Sequence, residues 1–133
     1  MTDPTTPTGG GEHGADPELS PHVLALGPRV VAKVVRKYLD NVVQLEAEME
    51  RAVEASDATA LEEAAHGLKG SSGTVGAERM AGICRRVEEL GKEGRVADAS
   101  GFLREIAQEH RRIRRSFTRY LEDAEVEDTG GGK

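Results

Sequence analysis

The sequence predicts an all-α protein: an antiparallel, up-down-up-down four-helix bundle with a short extra N-terminal helix and disordered ends. Three observations carry this expectation. Four segments repeat Val, Leu, Ile, Ala and Met at alternating spacings of three and four residues, the period of one helix face. Aromatic residues are only 3% of the 133, so the core must be aliphatic, as in a bundle packed by interlocking knobs. No strand-like alternation persists beyond a few residues.

The elements follow in chain order. Residues 1–16 are rich in Thr, Pro, Gly and acidic groups and lack apolar periodicity, which predicts a disordered leader. The bundle occupies 17–124, and 125–133 read as a flexible acidic and glycine tail. A short helix is expected from Pro17 to Ala25, stopped by Gly27 and Pro28. Pro28 suits the first position of the next helix, whose seam is Val31, Val35, Tyr38, Val42, Leu45, Met49 and Ala52. Ser56 or Asp57 is the N-cap of a second long helix, which Gly73 and Gly76 break. A third uses Met80, Ile83, Cys84, Val87 and Leu90 and ends at Gly91 or Gly94. The last runs from about Val96 to Ala124 on Phe102, Leu103, Ile106, His110, Ile113, Phe117, Tyr120 and Leu121. Short connections between consecutive helices favour antiparallel neighbours.

Composition excludes several function classes. The net charge of −6 argues against a general nucleic-acid binder, which carries a basic footprint. The basic run Arg111, Arg112, Arg114, Arg115 and Arg119 interleaves with Glu105, Glu109, Glu122 and Asp123 and reads as a solvated face. The single cysteine, Cys84, falls on an apolar stripe and is expected to be reduced and buried. No apolar run approaches the ~18 residues of a membrane span, and no secretory signal pattern opens the chain. A cytoplasmic chain without membrane contact is expected, acting as a monomer because one copy buries its own seams.

The segment Leu61 to Gly73 holds the chemistry. At roughly 100° per residue, Leu61, Ala64, Ala65, Leu68 and Ser72 form one stripe, and His66 points about 140–150° away from its centre, into water. Glu62 and Lys69 flank it, while Gly70 and Gly73 leave room above the ring although glycine costs a helix up to about 1 kcal/mol relative to alanine. A metal site would need two or three more ligands on that face; His13, His22, His110 and Cys84 all lie elsewhere, so no metal is expected. Ser71 and Ser72 fall on or beside the buried stripe, which disfavours a hydrolytic triad. The glycines around Ser71 lack the pattern and the preceding strand of a nucleotide-binding loop. The remaining role for an exposed imidazole is that of a nucleophile, its natural electrophile being a phosphoryl group whose oxygens Lys69 can meet as a point charge.

The residues His66-Gly67-Leu68-Lys69-Gly70-Ser71-Ser72, then Gly76-Ala77 and a helix with Met80, Cys84, Val87 and Glu88, resemble the histidine-containing phosphotransfer (HPt) domain of phosphorelays over about Leu19 to Leu121. The resemblance implies a four-helix bundle whose histidine accepts a phosphoryl group from a receiver-domain aspartyl phosphate and passes it to another receiver. His66 is then the phosphoacceptor, Lys69 the charge support, and Gly70 and Gly73 the clearance for the receiver.

Members of this family often place a glutamine beside the histidine; Glu88 stands there in this chain. Either its carboxylate meets the ring, disfavouring a second negative charge and shortening the life of phospho-His66, or the polar contact is missing. The resemblance also implies receiver docking on a small apolar patch, expected around Ala65, Gly67, Gly70 and the following helix. Response-regulator receivers are the implied partners, with a hybrid histidine kinase a further candidate. No cofactor is expected beyond the Mg2+ that a receiver brings, since the chain shows no kinase or ATP-binding machinery and would be a phosphocarrier rather than an enzyme. The alternative is an unphosphorylated helical adaptor that binds a receiver or histidine kinase.

Overall fold

A computed structural model describes residues 16–131, with side chains described through Glu122. The expected leader therefore lies outside the described residues up to position 15. Five α-helices follow in order: α1 (Pro21–Leu24), α2 (Pro28–Glu54), α3 (Ala58–Val75), α4 (Glu78–Lys92) and α5 (Ser100–Gly131), with a 3₁₀ turn at Val96–Ala99 before the last.

The four long helices form the bundle, and cross-helix contacts fix their directions. Along α2 and α3, Tyr38 meets Ser72, Asn41 meets Ser71 and Leu45 faces Gly67. Between α3 and α4, Glu62 faces Gly91 and His66 meets Glu88. Arg79 and Arg86 of α4 meet Glu109 and Phe102 of α5, and Tyr38 and Glu46 of α2 meet Phe117 and His110. In every pair the residue number rises along one helix as it falls along the other, so all four neighbours are antiparallel. Leu61, Leu68, Met49, Met80, Ile106 and Phe117 are fully buried between them, each contributing on the order of 2 kcal/mol of transfer free energy.

Several boundaries differ from the expected ones. Helix α1 begins at Pro21 rather than Pro17, because the Ser20 amide donates to the Val75 carbonyl (2.7 Å) and its hydroxyl caps the His22 amide. Asp57, rather than Ser56, caps α3, accepting from the Ala60 amide at 3.0 Å. Gly73 does not break α3: Gly76 does, with φ +97°, while Ala77 N–H reaches back to the Ser72 carbonyl (2.8 Å). A Cβ on Gly76 would also fall 2.6 Å from the Ser20 nitrogen.

Gly91 lies inside α4, which ends at Lys92, and Gly94 with φ +73° turns the chain away. The segment from Val96 divides into the 3₁₀ turn and α5, and α5 continues past Ala124 to Gly131; no breaker precedes Gly130. Among the described residues, no helix is long and apolar enough to cross a membrane.

Candidate functional site

The predicted stripe of α3, Leu61, Ala64, Ala65, Leu68 and Ser72, is buried. His66 therefore stands on the outer face, its side chain 68% exposed. Ala65 is fully buried, so it forms no part of an exposed patch around the ring, contrary to expectation; the inward stripe includes it. Gly67, Gly70 and Gly73 are exposed. A Cβ would meet nothing within 4 Å at Gly70 or Gly73, and at Gly67 it would touch Leu45 at 3.4 Å.

Glu88 of α4 reaches the ring from below. Its Oε2 lies 2.9 Å from His66 Nδ1, and the residue is only 5% exposed. Close packing of α3 on α4 makes this possible. At Gly91 an added Cβ would sit 2.9 Å from the Glu62 backbone nitrogen, so the glycine expected to end a helix instead lets two helices approach.

Two lysines hold the same carboxylate. Lys69 Nζ lies 2.7 Å from Oε1, and Lys92 Nζ lies 3.7 Å from Oε2. The Lys69 hydrogen bond, with those of His66 and the charge of Lys92, outweighs burial and holds the Glu88 carboxyl below its ordinary range.

An ionised carboxylate can only accept hydrogen bonds. The hydrogen must then sit on Nδ1, which leaves the lone pair on Nε2, a nitrogen with no partner among the described residues. The network assigns this tautomer. Glu88 thus makes the carboxylate contact, one of the two outcomes its position allowed. Lys69 is placed on that carboxylate, one turn along α3 from the ring.

Lys92 was not anticipated, although its i,i+4 spacing from Glu88 is the signal for such a pair. Ser71 donates to Asn41 Oδ1 (2.8 Å), and Ser72 shares a hydrogen with Tyr38 (2.7 Å). Both hydroxyls are thereby committed to the α2–α3 seam. His110 lies half-buried in the α2–α5 seam, 2.8 Å from Glu46. Cys84 is buried, which pushes its thiol up to about 12. Among the described residues, no three His, Cys, Asp or Glu side chains gather closely enough to hold a metal ion.

One acidic residue departs from the expected solvated face. Glu109 is 3% exposed and is gripped by Arg79 (3.3 Å) and Arg112 (2.9 Å). It falls three residues after Ile106 and four before Ile113, on the buried stripe of α5, and that spacing is legible in the sequence.

A sequence profile described as Hpt domain matches residues 33–116, a span that contains His66, Lys69, Glu88 and Lys92. The chain belongs to the Hpt domain family. The crystal structure of histidine-containing phosphotransfer protein B (HptB) from Pseudomonas aeruginosa PAO1 resembles it with a TM-score of 0.73 at 26% identity, covering 82% of this chain and 98% of that one. No curated protein matches the sequence. As an Hpt domain, the bundle serves histidine phosphotransfer in phosphorelays and interacts with phosphorelay partners.

Proposed function

We propose that His66 is the phosphoacceptor of this Hpt domain, taking a phosphoryl group from the aspartyl phosphate of one receiver and yielding it to the aspartate of another. The observation that carries this reading is the 2.9 Å bond between Nδ1 and Glu88, which leaves the exposed Nε2 as the nucleophile. In the forward step a P–N bond forms at Nε2 while the aspartyl O–P bond breaks, and its electron pair leaves with the receiver carboxylate.

Phosphoryl transfer asks a protein for positioning and charge stabilisation more than for covalent chemistry. Positioning comes from α3 and Glu88, and clearance for the incoming receiver from Gly70 and Gly73. Lys69, about a third exposed, supplies positive charge one turn from the ring. Mg2+ enters with the receiver, and this chain acts as a monomeric carrier with no nucleotide chemistry of its own.

Incubation with a phosphorylated receiver and Mg2+ tests the proposal. Wild type acquires an acid-labile, alkali-stable phosphate that is lost in His66→Gln. Phosphate retained in that variant would overturn the assignment. A receiver that binds without transfer would favour the adaptor reading.

A further inference from the structure

Granting that His66 is the phosphoacceptor, we infer that Glu88 keeps the Nδ1 proton on the ring of phospho-His66, so that the phosphoryl group moves onto and off Nε2 without any proton transfer. The argument begins with valence. A neutral imidazole carries one substituent or hydrogen between its two nitrogens. When the Nε2 lone pair forms the P–N bond while Nδ1 keeps its hydrogen, the ring becomes a cation.

In water that proton is free to leave, and the neutral phosphoimidazole that remains is a poor donor, because breaking its P–N bond would expel an imidazolate. Here Nδ1 faces an acceptor-only carboxylate at 2.9 Å that is shielded from solvent. The ring cation is therefore paired where it forms. On the return step a receiver aspartate oxygen bonds to phosphorus, the P–N bond breaks, and its electrons return to Nε2. The same neutral Nδ1–H ring is restored, and every atom and charge is accounted for.

The two lysines make this arrangement tolerable. With a dianionic phosphoryl group on Nε2, the ring cation, the Glu88 anion and the ammoniums of Lys69 and Lys92 balance it to neutrality. If Nδ1 gave up its proton, the cluster would be left with an uncompensated negative charge beside a buried carboxylate, the costly arrangement. The other charged groups around the ring do not replace Glu88. Glu88 is the one carboxylate bonded to the ring among the described residues; the backbone and Cβ of Glu62 lie against Gly91, and Glu63 lines a separate cleft of about 360 Å³ with Glu48 and Arg51 of α2 and with Asp57.

Glu88 is thus a positioning residue whose charge decides the protonation state of the phosphorylated form. A neutral glutamine would hold the ring in place but would release the proton more readily. The consequence is a carrier kept in its activated form, fast to hand on its phosphoryl group and correspondingly short-lived.

The test loads His66 with phosphoramidate, which needs no receiver, in wild type and in Glu88→Gln labelled with 15N-histidine. Nitrogen NMR then follows Nδ1 across pH. In phosphorylated wild type Nδ1 stays protonated to about pH 8 or above, well past the usual imidazole midpoint near 6.5. In Glu88→Gln the midpoint falls by about one unit or more, the size of effect that an adjacent opposite charge produces. At neutral pH the variant's phosphate then survives several-fold longer and passes to a receiver several-fold more slowly.

Equal midpoints in the two proteins overturn the inference. So does loss of the wild-type Nδ1 proton near 6.5, a readout that holds even if the variant misfolds. Loading by phosphoramidate but not by any phosphorylated receiver defeats the receiver-acceptor reading alone, and failure of both donors defeats both.

Discussion

Two buried carboxylates, one on each side of α4, show what separates a site from a structural ion cluster. Glu88, between α3 and α4, is 5% exposed and bound by two lysines; Glu109, between α4 and α5, is 3% exposed and bound by two arginines. The difference lies in what else each one touches. Glu88 also holds an imidazole that is two-thirds exposed, beneath glycines that leave open space. Glu109 is held by guanidinium groups, which keep their charge at any accessible pH. It underlies a cleft of about 390 Å³ lined by Arg79, Arg111, Arg112, Arg115 and Glu105. Burial of a carboxylate is common to both; a group that can gain a bond and change its charge belongs to the first alone.

The sharpest way to break this comparison is to remove the second carboxylate. Glu109→Ala takes the buried anion away from Arg79 and Arg112, and breaking a buried pair costs up to 3–5 kcal/mol. Arg79 is 44% exposed and can turn to water, so a loss of about 2–3 kcal/mol in a urea titration is expected. Labelling of His66 by phosphoramidate should stay at the wild-type level in the folded variant. A stable protein that loses its acceptor activity would mean that the two clusters are coupled and that the contrast is false.

The first carboxylate gives a smaller effect of a different kind, in acid. Lys69 before all, then His66 and Lys92, hold the folded-state Glu88 carboxyl below its ordinary value of 4.5. A group depressed in this way stabilises the fold above the unfolded value, and the contribution is lost as pH falls through the lower folded value. Glu88→Gln has no such term. In paired urea titrations, wild type should therefore lose stability relative to the variant as pH drops below about 4.5. A gap that stays flat through that window would show that the carboxylate is not held ionised by its lysines, and the tautomer argument would lose its footing.

Much of this was legible in the sequence, for identifiable reasons. Helical period decided which face of α3 is buried, and so placed His66 in solvent without reference to any neighbour. Glu88 came from the family resemblance rather than from period, and the structure puts its carboxylate 2.9 Å from the ring. Contacts that depend on how closely two helices approach were not legible. Gly91 looks like a terminator in one dimension and acts as a close-packing residue in three. The Lys69–Glu88 ion pair was not legible either, because nothing local shows that a carboxylate from another helix lies 2.7 Å away. Glu109 has the charge of a solvated face but the spacing of the buried stripe that holds Ile106 and Ile113, and the spacing wins. The start of α1 depended on a hydrogen bond from Ser20 to Val75, more than fifty residues on, which no periodicity reports.

The smallest predicted change in stability also tests the contrast between the two sides, through a pair of glycines. Gly70 lies on the open face near His66, and Gly82 lines the cleft of Arg79, Arg86 and Phe102 on the other side. A Cβ at either position would meet nothing within 4 Å. Both stand inside helices, where replacing glycine by alanine returns up to about 1 kcal/mol. Gly70→Ala and Gly82→Ala should therefore raise the urea midpoint alike. If His66 takes its phosphoryl group from a receiver as proposed, their effects on transfer should differ: a methyl group on the open face of α3 fills space beside His66, whereas one on the far side of α4 does not. Transfer from a phosphorylated receiver slows in Gly70→Ala while loading by phosphoramidate, which needs far less room, keeps its wild-type rate, and Gly82→Ala leaves both unchanged. Equal transfer in the two variants would mean that receivers approach His66 from a direction the glycines do not guard, and the stability given up at Gly70 would then need a reason other than access.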